Sequence, residues 1–290
     1  MGPSSMRLDR GYARTSIGEI HYRSGGQGSP IVLLPPTGRS SLVYVELMEH
    51  LSKRYRVVGL DPPGSGPSAA LPSAASVKDM ARWLGEALAA LRLGDITLYG
   101  LHGGNKLATA LASSGIVPVK KLVIAGMSHS IVPDPLSRRR FFMAHGYEEL
   151  SEVTPEGEAR ILKRWIGKYA ELSSLWLDKA ALEQMTSSEA ERRRLATLID
   201  HLQGQASKAD LMNAALTYAF EKDLESLAIP TLFLEIITPD EEKHVGPQGP
   251  ALQKIVKTSS WQVLHEPDIS RHTLEHRAID IANAISTFVG

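Results

Sequence analysis

The sequence predicts an α/β fold, with a mostly parallel sheet flanked by helices and a helical segment inserted between its two halves. Three observations lead there. Short apolar runs bounded by turn residues recur at 31–34, 55–60, 96–99 and 121–125, as expected of strands covered on both faces. Helical patterns separate these runs, and that alternation belongs to a parallel sheet. The stretch Leu98-Tyr99-Gly100-Leu101-His102-Gly103-Gly104-Asn105 reads as the end of a buried strand, a glycine-packed turn and the opening of a helix.

Taken in order, residues 15–22 read as a hairpin of short strands, followed by the Gly25-Gly26-Gln27-Gly28 turn. The strand at 31–34 ends in Pro35-Pro36-Thr37-Gly38, before a helix carrying Leu47, His50 and Leu51. The next strand closes with Asp61-Pro62-Pro63-Gly64-Ser65-Gly66-Pro67-Ser68. Ser76-Val77-Lys78-Asp79 is a capping-box variant that opens a helix. Val77, Met80, Leu84, Leu88 and Leu91 then share one face of that helix, which lays it on the sheet. The strand at 96–99 enters the glycine turn, a helix over 105–112 leaves it, and 121–125 is another apolar strand.

After Gly126 the pattern breaks. From about Ser137 to Gln205 the chain is charged and helical, with apolar stripes at Phe141, Phe142, Met143, Ile161, Trp165, Ile166 and Tyr169. Arg138-Arg139-Arg140 and Arg192-Arg193-Arg194 are read as solvated helix faces. Alternation resumes with 211–220, strands at 231–236 and 261–264, and a closing helix from about Glu275 to Phe288. The expected organisation is therefore a core built from 1–130 and 206–290, with 131–205 as a helical cap over the active-site face.

Composition narrows the function classes. Lys plus Arg and Asp plus Glu are 32 each, so no global field favours nucleic acid or an acidic membrane. There are no cysteines, which removes disulfides, thiolate metal ligands and a cysteine nucleophile. Residues 1–10 lack the apolar core of a secretory signal, and no run of about 18 apolar residues could span a membrane. Gly2-Pro3-Ser4-Ser5 reads as leader sequence, and a cytoplasmic location is the default expectation. A small-molecule substrate is expected, with no cofactor; the oligomeric state is not legible.

From Gly11 to Val289 the chain resembles the α/β-hydrolase superfamily. Four matches arrive in order: Gly18-Glu19-Ile20-His21-Tyr22 with its glycine turn, Leu33-Leu34-Pro35-Pro36-Thr37-Gly38, Asp61 to Ser68, and Gly100-Leu101-His102-Gly103-Gly104. The last is similar to a nucleophile elbow, Gly-x-nucleophile-x-Gly, which holds a side chain on a strained turn above the sheet. Here the middle residue is His102. The chain looks like a subgroup with histidine at that position, although Gly103 stands where that subgroup usually has threonine.

The resemblance implies an oxyanion hole made by the N–H groups of Gly103 and Thr37, each donor worth about 3–4 kcal/mol of oxyanion stabilisation. His102 would act as general base on water, as a proton shuttle or as a nucleophile forming an acyl-imidazole. It cannot run the serine mechanism, because the elbow has no hydroxyl to deprotonate. Ser113 and Ser114 lie about three turns further along the helix. The family's acid is expected after the strand at 231–236, where Asp240 is nearest, with Asp134 and His129 as fallbacks. Its late histidine is expected before the final helix, where His272 is favoured over His265 and Asp268 would orient it. A metal held by His102, His272 and an acid lacks any supporting ligand spacing.

The expected function is hydrolysis of an ester or related acyl bond of a small, mostly apolar carbonyl compound, held between cap and core. Two alternatives stay open: a cofactor-free lyase or isomerase using His102 for proton transfer, and a non-catalytic binding protein that lost its serine.

Overall fold

The computed structural model describes residues 8–126, 187–204, 206–237, 246–265 and 277–290. An eight-stranded sheet runs in the order β1-β2-β4-β3-β5-β6-β7-β8. Strands β1 (Asp9–Thr15) and β2 (Gly18–Gly25) form an antiparallel hairpin, and β2 pairs antiparallel with β4 (Arg56–Leu60). The rest are parallel: β3 (Pro30–Leu34), β5 (Ile96–Leu101), β6 (Val119–Ala125), β7 (Thr231–Ile237) and β8 (Ser259–His265). Strands from before and after the 127–186 stretch thus share one sheet.

Alternation along the strands sorts side chains into two cores. Val32, Leu34, Leu98, Leu122, Ile124 and Phe233 face helices α2 (Val77–Leu91) and α3 (Gly103–Ser114). Ile31, Leu33, Tyr99, Val123 and Leu234 face α1 (Val45–Leu51) and the last helix, Ala278–Val289. Burying each such aliphatic side chain contributes roughly 1.5–3 kcal/mol. All six residues of β5 are buried, as the continuous apolar run requires.

The α2 face is as expected: Val77, Met80, Leu84 and Leu88 are buried and Leu91 partly so. Its start is a full capping box, with the Ser76 hydroxyl accepting from Asp79 N–H and the Asp79 carboxylate accepting from Ser76 N–H. After Gln203 come α5 (Lys208–Thr217), α6 (Phe220–Glu225) and α7 (Gly249–Ile255), with α4 (Ser187–Gln203) preceding them and Ala278–Val289 following as α8. Arg192 on α4 is exposed, consistent with a solvated face there.

Along the chain, β3 leads to its neighbour β4 on one side, and β5 then returns to pair with β3 on the other. The carboxyl ends of β3 and β5 therefore flank a topological switch point, where open α/β sheets bind their ligands. Among the described residues, no helix is long and apolar enough to cross a membrane.

Candidate active site

His102 occupies the single step between β5 and α3, with φ 50 and ψ −111. That backbone lies outside the regions open to ordinary L-residues and costs on the order of 1–3 kcal/mol. The turn is held from both sides. His102 N–H donates to the Ala125 carbonyl at 3.1 Å, and Asn105 N–H donates to the His102 carbonyl at 3.1 Å. Asn105 is buried, and its amide donates to Gly126 O at 3.0 Å while accepting from Ala125 N–H at 3.1 Å. The imidazole lies beside Gly126: a Cβ built there would stand 3.2 Å from Cε1 and 3.4 Å from Nε2.

The glycines of the elbow are needed for close approach. A side chain on Gly104 would collide with the carbonyls of Leu34 and Pro35, and one on Gly100 with Gly104. At Gly103 a Cβ would strike the Thr37 hydroxyl and lie 2.9 Å from Thr37 N. Gly103 is also the first residue of α3, where backbone N–H groups have no partner inside the helix. The loop after β3 and the elbow after β5 thus bring Thr37 and Gly103 into contact beside half-buried His102.

A small cavity adjoins this pair, lined among others by Pro35, Pro36, Thr37, Ser65, Gly103 and Leu107. It is large enough to hold one water. The Ser65 hydroxyl on its wall is buried and makes no hydrogen bond among the described residues.

Beneath the loops, Asp61 is fully buried and accepts from Ser41 N–H at 2.7 Å, with His21 Nδ1 2.7 Å from its other oxygen. Arg23 stands 3.9 Å from the same carboxylate and donates to Ser41 Oγ at 2.8 Å. Burial lowers the Arg23 guanidinium below its ordinary value, and Asp61 opposes that shift. The Asp61-to-Ser68 motif therefore braces the loop that follows Thr37.

Of the residues expected from sequence, His102, Thr37 and Gly103 come together. Asp240, His272, Asp134, His129 and Asp268 lie outside the described residues, as do the apolar stripes at Phe141 to Tyr169. His265 ends β8, exposed, three strands from β5, or roughly 14 Å across the sheet. Ser113 and Ser114 bond Ala110 O and Leu111 O at the far end of α3. Two contributors were not singled out from sequence: Asn105, whose partners are 20 and 21 residues away, and Gly126, which lies at the end of β6. Among the described residues, no group of three or more histidine or acidic side chains is placed to hold a metal ion.

A mostly parallel sheet with a strained strand–turn–helix elbow at its switch point defines an α/β-hydrolase architecture. The family model for the alpha/beta hydrolase fold matches residues 29–210, and the chain belongs to that family. It is 27% identical over 177 residues to (E)-2-((N-methylformamido)methylene)succinate hydrolase of Acinetobacter baylyi, covering 58% of this chain and 64% of that protein. It is 30% identical over 106 residues to pimeloyl-[acyl-carrier protein] methyl ester esterase of Vibrio vulnificus, covering 33% of this chain and 41% of that protein. The chain thus spans less than two thirds of the length of these curated relatives.

Solved structures share the fold across nearly the whole chain. The enol-lactonase of Burkholderia xenovorans superposes with a TM-score of 0.69 at 18% identity, covering 96% of this chain and 99% of that one. An epoxide hydrolase from Vigna radiata gives 0.71 at 16% identity, covering 97% of each.

Proposed function

We propose that this chain is a hydrolase cleaving an ester or related acyl bond of a small, mostly apolar carbonyl compound, with elbow His102 as base or nucleophile in place of serine. The observation that carries the reading is the joint placement of His102 at φ 50, ψ −111 and of Thr37 against Gly103. The elbow presents an imidazole, and two backbone N–H groups beside it are suited to a developing oxyanion. Relatives named as a hydrolase and a methyl ester esterase support acyl-bond cleavage.

In this mechanism His102 either takes a proton from water as it attacks the carbonyl carbon, or attacks that carbon itself. On the first route the carbonyl π electrons move onto oxygen, held by Gly103 and Thr37, and collapse to expel the alcohol as it regains a proton. On the second, expulsion leaves an acyl-imidazole that water then hydrolyses. Asp240 and His272 are assigned to proton transfer in support of His102, in a soluble cytoplasmic enzyme with the 131–205 segment as its cap.

A panel of short-chain esters tests the reading, with wild type compared to His102→Ala. Turnover abolished by the substitution supports it. Proton exchange into α-acidic carbonyl compounds in deuterated water, without acid release, points instead to a lyase or isomerase. Ligand binding with no turnover in either form points to a non-catalytic binder. A fluorophosphonate probe should leave no elbow adduct, and stoichiometric labelling of any serine would refute the missing-hydroxyl mechanism.

A further inference from the structure

The loop carrying Thr37 is gripped by a helix from a distant part of the chain. Arg39 N–H donates to Pro36 O at 3.0 Å, closing a turn over Thr37 and Gly38, with Gly38 at φ +72. A positive φ at the third turn position is what glycine supplies at low cost. Immediately beyond the turn, Arg39 Nε donates to Asp200 Oδ2 at 2.5 Å. Ser40 N–H donates to Asp200 Oδ1 at 3.1 Å, and the Ser40 hydroxyl donates to the same oxygen. Asp200 stands on α4, 160 residues from Ser40, and its side chain is 1% exposed.

One helical turn on, Gly204 packs on Gly38 so closely that a Cβ there would collide with Gly38 O and lie 3.1 Å from Gly38 Cα. The turn is thus held at Gly38 by Gly204, and at Arg39 and Ser40 by Asp200. Thr37, between β3 and these two grips, presses its backbone N toward Gly103.

We infer that Asp200 is a positioning residue that sets the Thr37 N–H against Gly103, making the oxyanion hole depend on the docking of α4. The inference rests on the oxyanion role proposed above for Thr37 and Gly103. An uncharged, well-packed contact would hold α4 as well, because burying an ion pair gives little net stability. What the carboxylate adds is directional. Two oxygens take three donors from two successive residues, and this fixes the loop's path more tightly than apolar packing does. Small displacements at a catalytic donor cost rate out of proportion to their size.

The test compares wild type with Asp200→Asn and Ser40→Ala, each scored per folded molecule after thermal denaturation has set the folded fraction. Asp200→Asn should lower kcat for the ester turned over by wild type by about 10- to 100-fold, short of complete loss of a donor. KM should change less than about twofold, as for an interaction used only in the transition state. Ser40→Ala removes one of the three bonds and should give a smaller loss in the same direction; it also serves if the Asp200 variant does not fold. Amide hydrogen exchange should rise at residues 37–40 in Asp200→Asn and stay unchanged in α2.

If His102→Ala abolishes wild-type turnover but Asp200→Asn and Ser40→Ala leave kcat unchanged, the positioning role is overturned and the hydrolase reading stands. If wild type hydrolyses no ester, the hydrolase reading fails, and the exchange data alone decide whether Asp200 holds the Thr37 turn. Unchanged exchange at 37–40 then sinks the inference as well.

Discussion

Asn105 and Gly126 are joined by a 3.0 Å hydrogen bond from the Asn105 amide to the Gly126 carbonyl, which staples the first turn of α3 to the end of β6. Its amide oxygen takes the Ala125 N–H in return. One buried side chain thereby bonds two main-chain groups at the end of β6. Asn105→Ala should destabilise the fold by about 2–4 kcal/mol, since each buried group left unpaired costs about 1–3 kcal/mol. Urea unfolding measures this; a loss under about 1 kcal/mol would show that water replaces the amide. Asn105→Asp keeps the acceptor but sets a buried carboxylate oxygen against the Gly126 carbonyl, and should cost at least as much as Asn105→Ala.

Gly103 makes a separable prediction about catalysis. Any Cβ there collides with the Thr37 side chain, so Gly103→Ala must push the two loops apart. Loss of one oxyanion donor lowers kcat about 100-fold or more, and steady-state kinetics on the ester found for wild type should show that loss. Gly115→Ala is the control. A Cβ there meets nothing within 4 Å, although φ +68 is a strained backbone for alanine. It should cost about 1 kcal/mol of stability and leave kcat per folded molecule unchanged. Equal kinetic effects from both substitutions would detach the elbow glycines from the chemistry.

What was legible in the sequence follows from the range of each interaction. The central strands declared themselves because burial on both faces forces continuous apolar runs, and Val77 to Leu88 because a helix face repeats every 3.6 residues. The elbow was visible as a glycine cluster, but its edges were not. A strand end at Tyr99 and a helix start at Asn105 is the local reading, whereas β5 runs to Leu101 and α3 begins at Gly103. The whole reversal falls on His102, since positive φ there spares a longer turn. Asp200 was illegible for another reason. In a charged helix it reads as one more solvated acid, and its bonding partners Arg39 and Ser40 are distant in sequence.

Asp61 carries the third prediction. It is fully buried with His21, Arg23 and Ser41 around it, so removing the carboxylate leaves a buried guanidinium without its compensating charge. Asp61→Ala should cost about 3–5 kcal/mol, the usual penalty for breaking a buried pair from one side. Adding Arg23→Met to that variant should recover part of the loss. A double-mutant cycle by chemical denaturation checks the coupling, and strict additivity would mean that Arg23 does not depend on Asp61.

The start of α2 provides a pH-dependent prediction away from the site. The Asp79 carboxyl is held below its ordinary value of 3.8, first by the Ser76 hydroxyl and then by the Ser76 N–H. A carboxyl whose pKa is lower in the folded than in the unfolded chain stabilises the fold above the unfolded value. That contribution fades as pH falls through the folded value. Asp79→Asn should therefore be less stable than wild type near neutrality, by an amount of the order of a helix cap, about 1 kcal/mol. The gap should narrow as pH drops below 3.8 toward the folded value. Ser76→Ala also loses the hydroxyl's bond to Asp79 N–H, which does not titrate, so part of its deficit should persist in acid. Urea unfolding of the three proteins across that range measures both gaps, and a gap for Asp79→Asn that widens in acid would contradict the capping account.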